Sequence, residues 1–303
     1  MLSDISKVGV RCGVFVVGFF DLCGQSNQLR PYVELGSVSE DTKEDIQRDF
    51  ERIARQLYHF RSDISKYFQA AREESLAGCA PTNALPEQIE MAKVIDSAGV
   101  KLQGFSDSVV AYMPLATTRG ASLFHVAPLL ISVASTMLLA FARGTIVRGA
   151  IDATWAIKLF DDEIYGPALL STYELECQAG WPRVVLGPGI QSLWRMYQNQ
   201  RDESFMGQMN RTLAKYQSDM AFEDVDGKIA VDYLGQGMQK VLLDSLDMEL
   251  IDAAQIGLER ELHKQMGNPK IEKQLQSTIA YFESRIGPLT DERRRRASEY
   301  IDS

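Results

Sequence analysis

Two carboxylates stand alone in apolar, β-favouring surroundings. Asp21 closes the run Val16-Val17-Gly18-Phe19-Phe20, and Asp107 sits in Gly104-Phe105-Ser106-Asp107-Ser108, just ahead of Val109-Val110-Ala111-Tyr112. A lone acid in such a run is costly to bury unless it faces a cation or a hydrogen-bond donor. Two of them, each at a strand end or turn, point to a divalent-metal site between neighbouring strands, because hard cations take carboxylate oxygens. The plainer alternative is a turn cap for Asp21 and a hairpin tip for Asp107, both ordinary duties for Asp.

Other chemistries are poorly served. His59, His125 and His263 belong to different segments, and no Ser-His-Asp order stands out. The 4 cysteines, Cys12, Cys23, Cys79 and Cys177, form no CxxC pair, which argues against zinc or a disulfide framework and for reduced thiols in a cytoplasmic protein. No GxxxxGK[ST] or GxGxxG motif is present. The formal charge of -9 disfavours broad attraction to nucleic acid, and the cluster Arg293-Arg294-Arg295-Arg296 lies among acids, as on a solvated helix face.

The elements that must position the two acids follow from periodicity. Gly13 to Phe20 reads as a buried strand ending at Asp21. Thr42 and Asp45 open a helix on which Ile46, Phe50, Ile53, Leu57, Phe60, Ile64 and Tyr67 recur at steps of four and three. Val100–Gln103 and Ser108–Tyr112 form a hairpin with Gly104–Asp107 at its tip. Leu123–Ala142 is nearly charge-free and long enough to span a bilayer, but its Ser, Thr and His residues favour a core helix over a membrane span. Thr145–Ile151 and Trp155–Phe160 read as a second strand pair, followed by a helix over 168–179 and a short strand over 183–186. The expected fold is α+β: a mostly antiparallel sheet with helices on one face over residues 1–187. Residues 188–303 read as a mostly helical extension, with one edge strand at Lys228–Leu234 and two helices hinged at Asn268-Pro269.

This order of elements, with Phe19-Phe20-Asp21-Leu22-Cys23-Gly24, Gly104-Phe105-Ser106-Asp107-Ser108, Arg148-Gly149-Ala150-Ile151 and Ile164-Tyr165-Gly166, resembles a class III nucleotidyl cyclase domain, whose sheet is ferredoxin-like. Gly166-Pro167-Ala168, Tyr173-Glu174-Leu175-Glu176, Trp181-Pro182-Arg183-Val184 and Asp226-Gly227 are similar to a divergent bacterial branch, the pyrimidine cyclases of anti-phage Pycsar systems. The resemblance implies that Asp21 and Asp107 hold two Mg²⁺ or Mn²⁺ ions, with the Leu22 carbonyl as a further ligand. It also implies that Gly24, Gln25 and Ser26 offer N–H groups to phosphate, and that Gln103 and Glu163 meet the base. A Gln amide both donates and accepts, which suits a pyrimidine edge without telling uracil from cytosine. A homodimer with sites at the subunit interface is implied as well.

Leu170 and Glu174 stand where the family has the Asn and Arg that steady the transition state. Either Arg148 and Lys158 substitute for them, or catalysis is lost. The expected function is cyclisation of a pyrimidine nucleoside triphosphate, UTP ahead of CTP, to a 3′,5′-cyclic monophosphate used in anti-phage signalling. The alternative is an inactive cyclase-fold protein that binds nucleotide or acts as a scaffold.

Overall fold

The computed structural model describes residues 11–23, 40–79, 85, 86, 89, 92, 93, 99–117, 120, 121, 123–159, 163–242 and 248–302. Strand β1 (Arg11–Leu22) alternates its side chains between two faces: Val16, Phe20 and Leu22 enter the main core, while Phe15, Val17 and Phe19 enter a smaller cluster on the other side. It is flanked by β3 (Ser108–Pro114) and β4 (Val147–Leu159), both antiparallel to it, and β2 (Lys101–Phe105) lies outside β3. Long helix α1 (Glu40–Cys79) joins β1 to β2, and α2 (Val126–Ala142) joins β3 to β4. The order β2-β3-β1-β4 with this connectivity is the ferredoxin-like βαββαβ arrangement.

Helices α1 and α2 cover the main core face, where Phe60, Ile64 and Phe68 of α1 are buried. The segment Leu123–Ala142 is the one helix among the described residues long and apolar enough to cross a membrane, and it is 89% buried in the protein's own interior. The opposite face carries the short helix α3 (Pro167–Cys177), reached from β4 through the three-residue strand β5 (Glu163–Tyr165). Ile164 and Ala168 pack there against Phe15, Val17, Phe19, Val110 and Tyr112.

Beyond α3 the sheet continues. β6 (Val184–Leu186) pairs parallel to β4, and then come β8 (Ile229–Val231) and β7 (Ala221–Glu223). The strand expected as an edge within 228–234 is therefore interior, and Ala221–Glu223 is the edge. Helices α4 (Pro188–Asn199), α5 (Phe205–Ser218), α6 (Gln236–Leu242), α7 (Met248–Lys264), α8 (Pro269–Ile286) and α9 (Asp291–Asp302) complete the chain. Residues Trp194, Met220, Tyr233, Leu258 and Phe282 belong to the same buried core as Val16 and Phe20, so the core runs through residue 187 without a break.

Other sequence expectations are corrected by packing. The pair of strands expected over 145–160 is one continuous 13-residue strand. Asp152, which broke the apolar pattern, is buried and accepts the backbone N–H groups of Ala153 (2.8 Å), Gly189 (2.8 Å) and Ile190 (3.2 Å), capping α4 rather than turning the chain. The hairpin tip is Ser106-Asp107, with Ser106 at φ 50°, and Gly104 pairs with Val109 inside the ladder. Helix α1 starts at Glu40, ahead of Thr42, and Phe50, which the helical stripe placed inward, is exposed.

Candidate functional site

Ladder register brings the site together at one end of β1. Asp21 pairs with Ser108 of β3 on one side and Arg148 of β4 on the other, and the Leu22 N–H donates to the Asp107 carbonyl at 3.2 Å. Asp21 and Asp107, 86 positions apart in the chain, thus occupy adjoining strand ends because antiparallel pairing leaves them no other place. Gly149 makes the approach of β4 feasible: a Cβ there would sit 2.7 Å from the Phe19 carbonyl and 2.6 Å from the Phe20 ring.

Asp21 Oδ1 accepts from Ser108 Oγ at 3.3 Å, and Oδ2 accepts from Arg148 Nη2 at 3.4 Å. Arg148 Nε donates to Glu176 of α3, whose side chain is only 3% exposed. Burial pushes the Asp21 carboxyl up to about 6, the negative charges of Glu176 and Asp107 push the same way, and Arg148 opposes them. Among the described residues one guanidinium therefore faces Asp21 and Glu176, with Asp107 close by.

Glu176 was missed by sequence reasoning, although the signal was present. Ala168, Thr172 and Glu176 follow one another at helical steps of four, and all three are buried. The same helix phase turns Leu170 and Glu174 outward; Leu170 is 59% exposed.

The remaining expected residues distribute unequally. The Leu22 side chain is buried in the main core. Gln103 pairs with Val110 in the β2–β3 ladder and its Oε1 accepts the Ile164 N–H at 3.2 Å, but strand alternation turns the Glu163 side chain to the face opposite Ile164, so the expected Gln103–Glu163 base-contacting pair is not brought together. Glu163 accepts from the Tyr165 hydroxyl at 2.8 Å. Lys158 pairs with Arg11, ten register steps along β1 from Asp21, and the structure does not bring it to the acid pair; of the two expected cations, Arg148 is the one beside Asp21. Gly24, Gln25 and Ser26 lie outside the described residues. Cys12, Cys23 and Cys177 are free thiols. Among the described residues no group of three or more His, Cys, Asp or Glu is gathered for a metal ion.

No family model matches the chain. No curated protein matches it either. Among solved structures, the chain is similar to a bacterial light-regulated adenylyl cyclase at 11% identity and a TM-score of 0.38, covering 61% of this chain and 46% of that one. The ferredoxin-like fold rests on the strand order and register alone.

Proposed function

We propose that this protein is a nucleotide cyclase acting on a pyrimidine nucleoside triphosphate, UTP in preference to CTP, in an anti-phage signalling role. The observation that carries the reading is the convergence of Asp21 and Asp107 on adjoining ends of β1 and β3 in a ferredoxin-like sheet, in a locus where burial, with the neighbouring acids, lifts Asp21 to about 6. The choice of base and the anti-phage role come from the resemblance of the residue motifs.

In the reaction the ribose 3′-oxygen attacks the α-phosphorus, the bond from that phosphorus to the β-phosphate oxygen breaks, and pyrophosphate leaves while the 3′-hydroxyl proton is released. The donor set fits Mg²⁺ or Mn²⁺: two carboxylates, Asp21 and Asp107, and the Leu22 carbonyl are all hard oxygens, and Mg²⁺ commonly needs only one or two protein carboxylates beside substrate phosphate and water. Bound there, such ions would neutralise the triphosphate and lower the pKa of the attacking hydroxyl. Arg148 then serves as a phosphate-facing cation that Glu176 orients from below, and Ser108 fixes the rotamer of Asp21. Gln103 supplies an amide suited to a base edge.

The face around this site supports a homodimer. Leu170 and Tyr173 on α3 are exposed large hydrophobic residues on the side of the sheet that carries the acid pair, while the exposed Trp155, Ile157 and Tyr165 of β4 and β5 lie on its other side. The purified protein, incubated with Mn²⁺ and each of the four nucleoside triphosphates, should release pyrophosphate and a cyclic product from UTP. Absence of product from all four defeats the enzyme reading.

One observation favours an inactive nucleotide-binding module instead. Arg148 is already engaged by Asp21 and Glu176, and Leu170 offers no donor where the family has one. Thermal stabilisation by nucleotide without turnover, unaltered by Asp107→Asn, would decide for that module.

A further inference from the structure

On the other side of the sheet a cleft of about 610 Å³ opens between α1, the C-terminal end of α2 and the C-terminal end of α7. Its volume is in the range of small-molecule sites. On a chain of net charge -9, the cleft is lined by Arg48, Arg52, Arg55, Arg143 and Lys264, with His59, against only two carboxylates, Asp63 and Glu261. Arg48, Arg52, Arg55 and His59 fall at steps of four, three and four, so one stripe of α1 delivers all four. Arg143 comes from the turn that ends α2, and Lys264 from the last turn of α7.

Among the described residues the ion pairs of the α1 arginines are with neighbours on their own helix: Arg48 with Asp45 at 3.2 Å, Arg52 with Asp49 at 2.7 Å and Arg55 with Glu51 at 3.8 Å. None of those three acids lines the cleft. Exposed pairs of this kind contribute little, about 0.2–1 kcal/mol each, so the guanidinium groups can turn to a stronger acceptor. Arg143 is different, held by Asp63 across the cleft at 2.5 Å, and it gives one wall a fixed position. The floor is Phe60, Ala140 and Ile146, an apolar base that strengthens charge–charge contacts above it.

We propose that this cleft binds a di- or triphosphate chain, inorganic or carried on a nucleotide, at a site separate from the Asp21–Asp107 pair. Planar guanidinium forks take phosphate oxygens two at a time, and several of them from α1 and the end of α2, with the Lys264 ammonium of α7, select a compact, multiply charged anion over a single phosphate. The inference does not depend on the cyclase reading.

Titration calorimetry on the full chain with inorganic tripolyphosphate, in EDTA and low salt, tests it. Binding should be saturable, weaken steeply as salt is raised, and exceed that of orthophosphate. Arg52→Gln with Arg55→Gln, both at exposed helical positions, should weaken it by at least about tenfold, the effect of losing charged hydrogen bonds. Arg195→Gln with Arg201→Gln, the same charge change elsewhere on the surface, should leave it intact. Parallel titrations with UTP and ATP in EDTA separate the sources: equal affinity means the phosphate chain alone is read, and tighter nucleotide binding means the nucleoside is read too. No binding, equal weakening by both double variants, or binding abolished by Arg148→Gln and untouched by Arg52→Gln with Arg55→Gln would overturn the proposal.

Discussion

Arg148 bridges two strands and a helix through two carboxylates, and each partner would be left uncompensated without it. Removing one member of a buried charge pair typically costs about 3–5 kcal/mol. Arg148→Ala should therefore lower stability by an amount towards that range in urea denaturation, and adding Glu176→Gln should recover part of the loss. Additive losses would mean the two side chains are uncoupled. A second prediction concerns Asp21. Its folded pKa of about 6 lies above the ordinary carboxylate value of about 3.9, so the fold favours the protonated form. That preference contributes stability in full below the unfolded value, and the contribution is lost as pH rises from about 4 to about 6. The difference between the melting curves of wild type and Asp21→Asn should grow across that window, with the variant the more stable at neutral pH. Parallel curves would contradict the assignment. At this scale the sequence revealed its acids well: Asp21 and Asp107 were visible because nothing polar but turn residues surrounds them. Glu176 was hidden beside Glu174, since composition treats two acids alike and only helix phase sends one inward.

Among the elements, β4 shows how a sequence pattern can mislead. Asp152 in mid-strand reads as a break when only the chain is seen, because its three partners come from the next residue, Ala153, and from a helix nearly forty residues later. Asp152→Ala should cost about 1–2 kcal/mol, the typical value of an N-cap, as a shift in the urea midpoint. Gly189→Ala should cost at least as much, since the added Cβ would lie 1.9 Å from the Ala153 carbonyl oxygen. The long α1, the hairpin, the core helix and the hinge at Asn268-Pro269 were all legible from local periodicity and breakers. The small hairpin β7–β8 was only half legible: Asp226-Gly227 marked its turn, but its seat beside β6 depends on Arg183. That arginine is 1% exposed and pairs with Asp224 and Asp226, at 2.5 Å to the latter, a long-range contact no local pattern carries.

For the whole molecule, the acid pair and the exposed Leu170 and Tyr173 lie on the α3 side of the sheet, and the basic cleft lies on the side of α1. The exposed α3 face predicts self-association. Sedimentation should find a dimer, and Leu170→Arg, at a side chain 59% exposed on α3, should yield a folded monomer. A wild-type monomer at all concentrations would remove the support this face gives to an interfacial site. The measurement that bears most directly on the central claim is cyclic-nucleotide formation by wild type and Asp107→Asn, with Mn²⁺ and each of the four nucleoside triphosphates. Loss of a group that stabilises developing charge costs about 10²–10³ in rate, so wild type should form a cyclic pyrimidine nucleotide and the variant at most about a hundredth as much. Equal turnover by the two proteins, or none by wild type, would contradict the account.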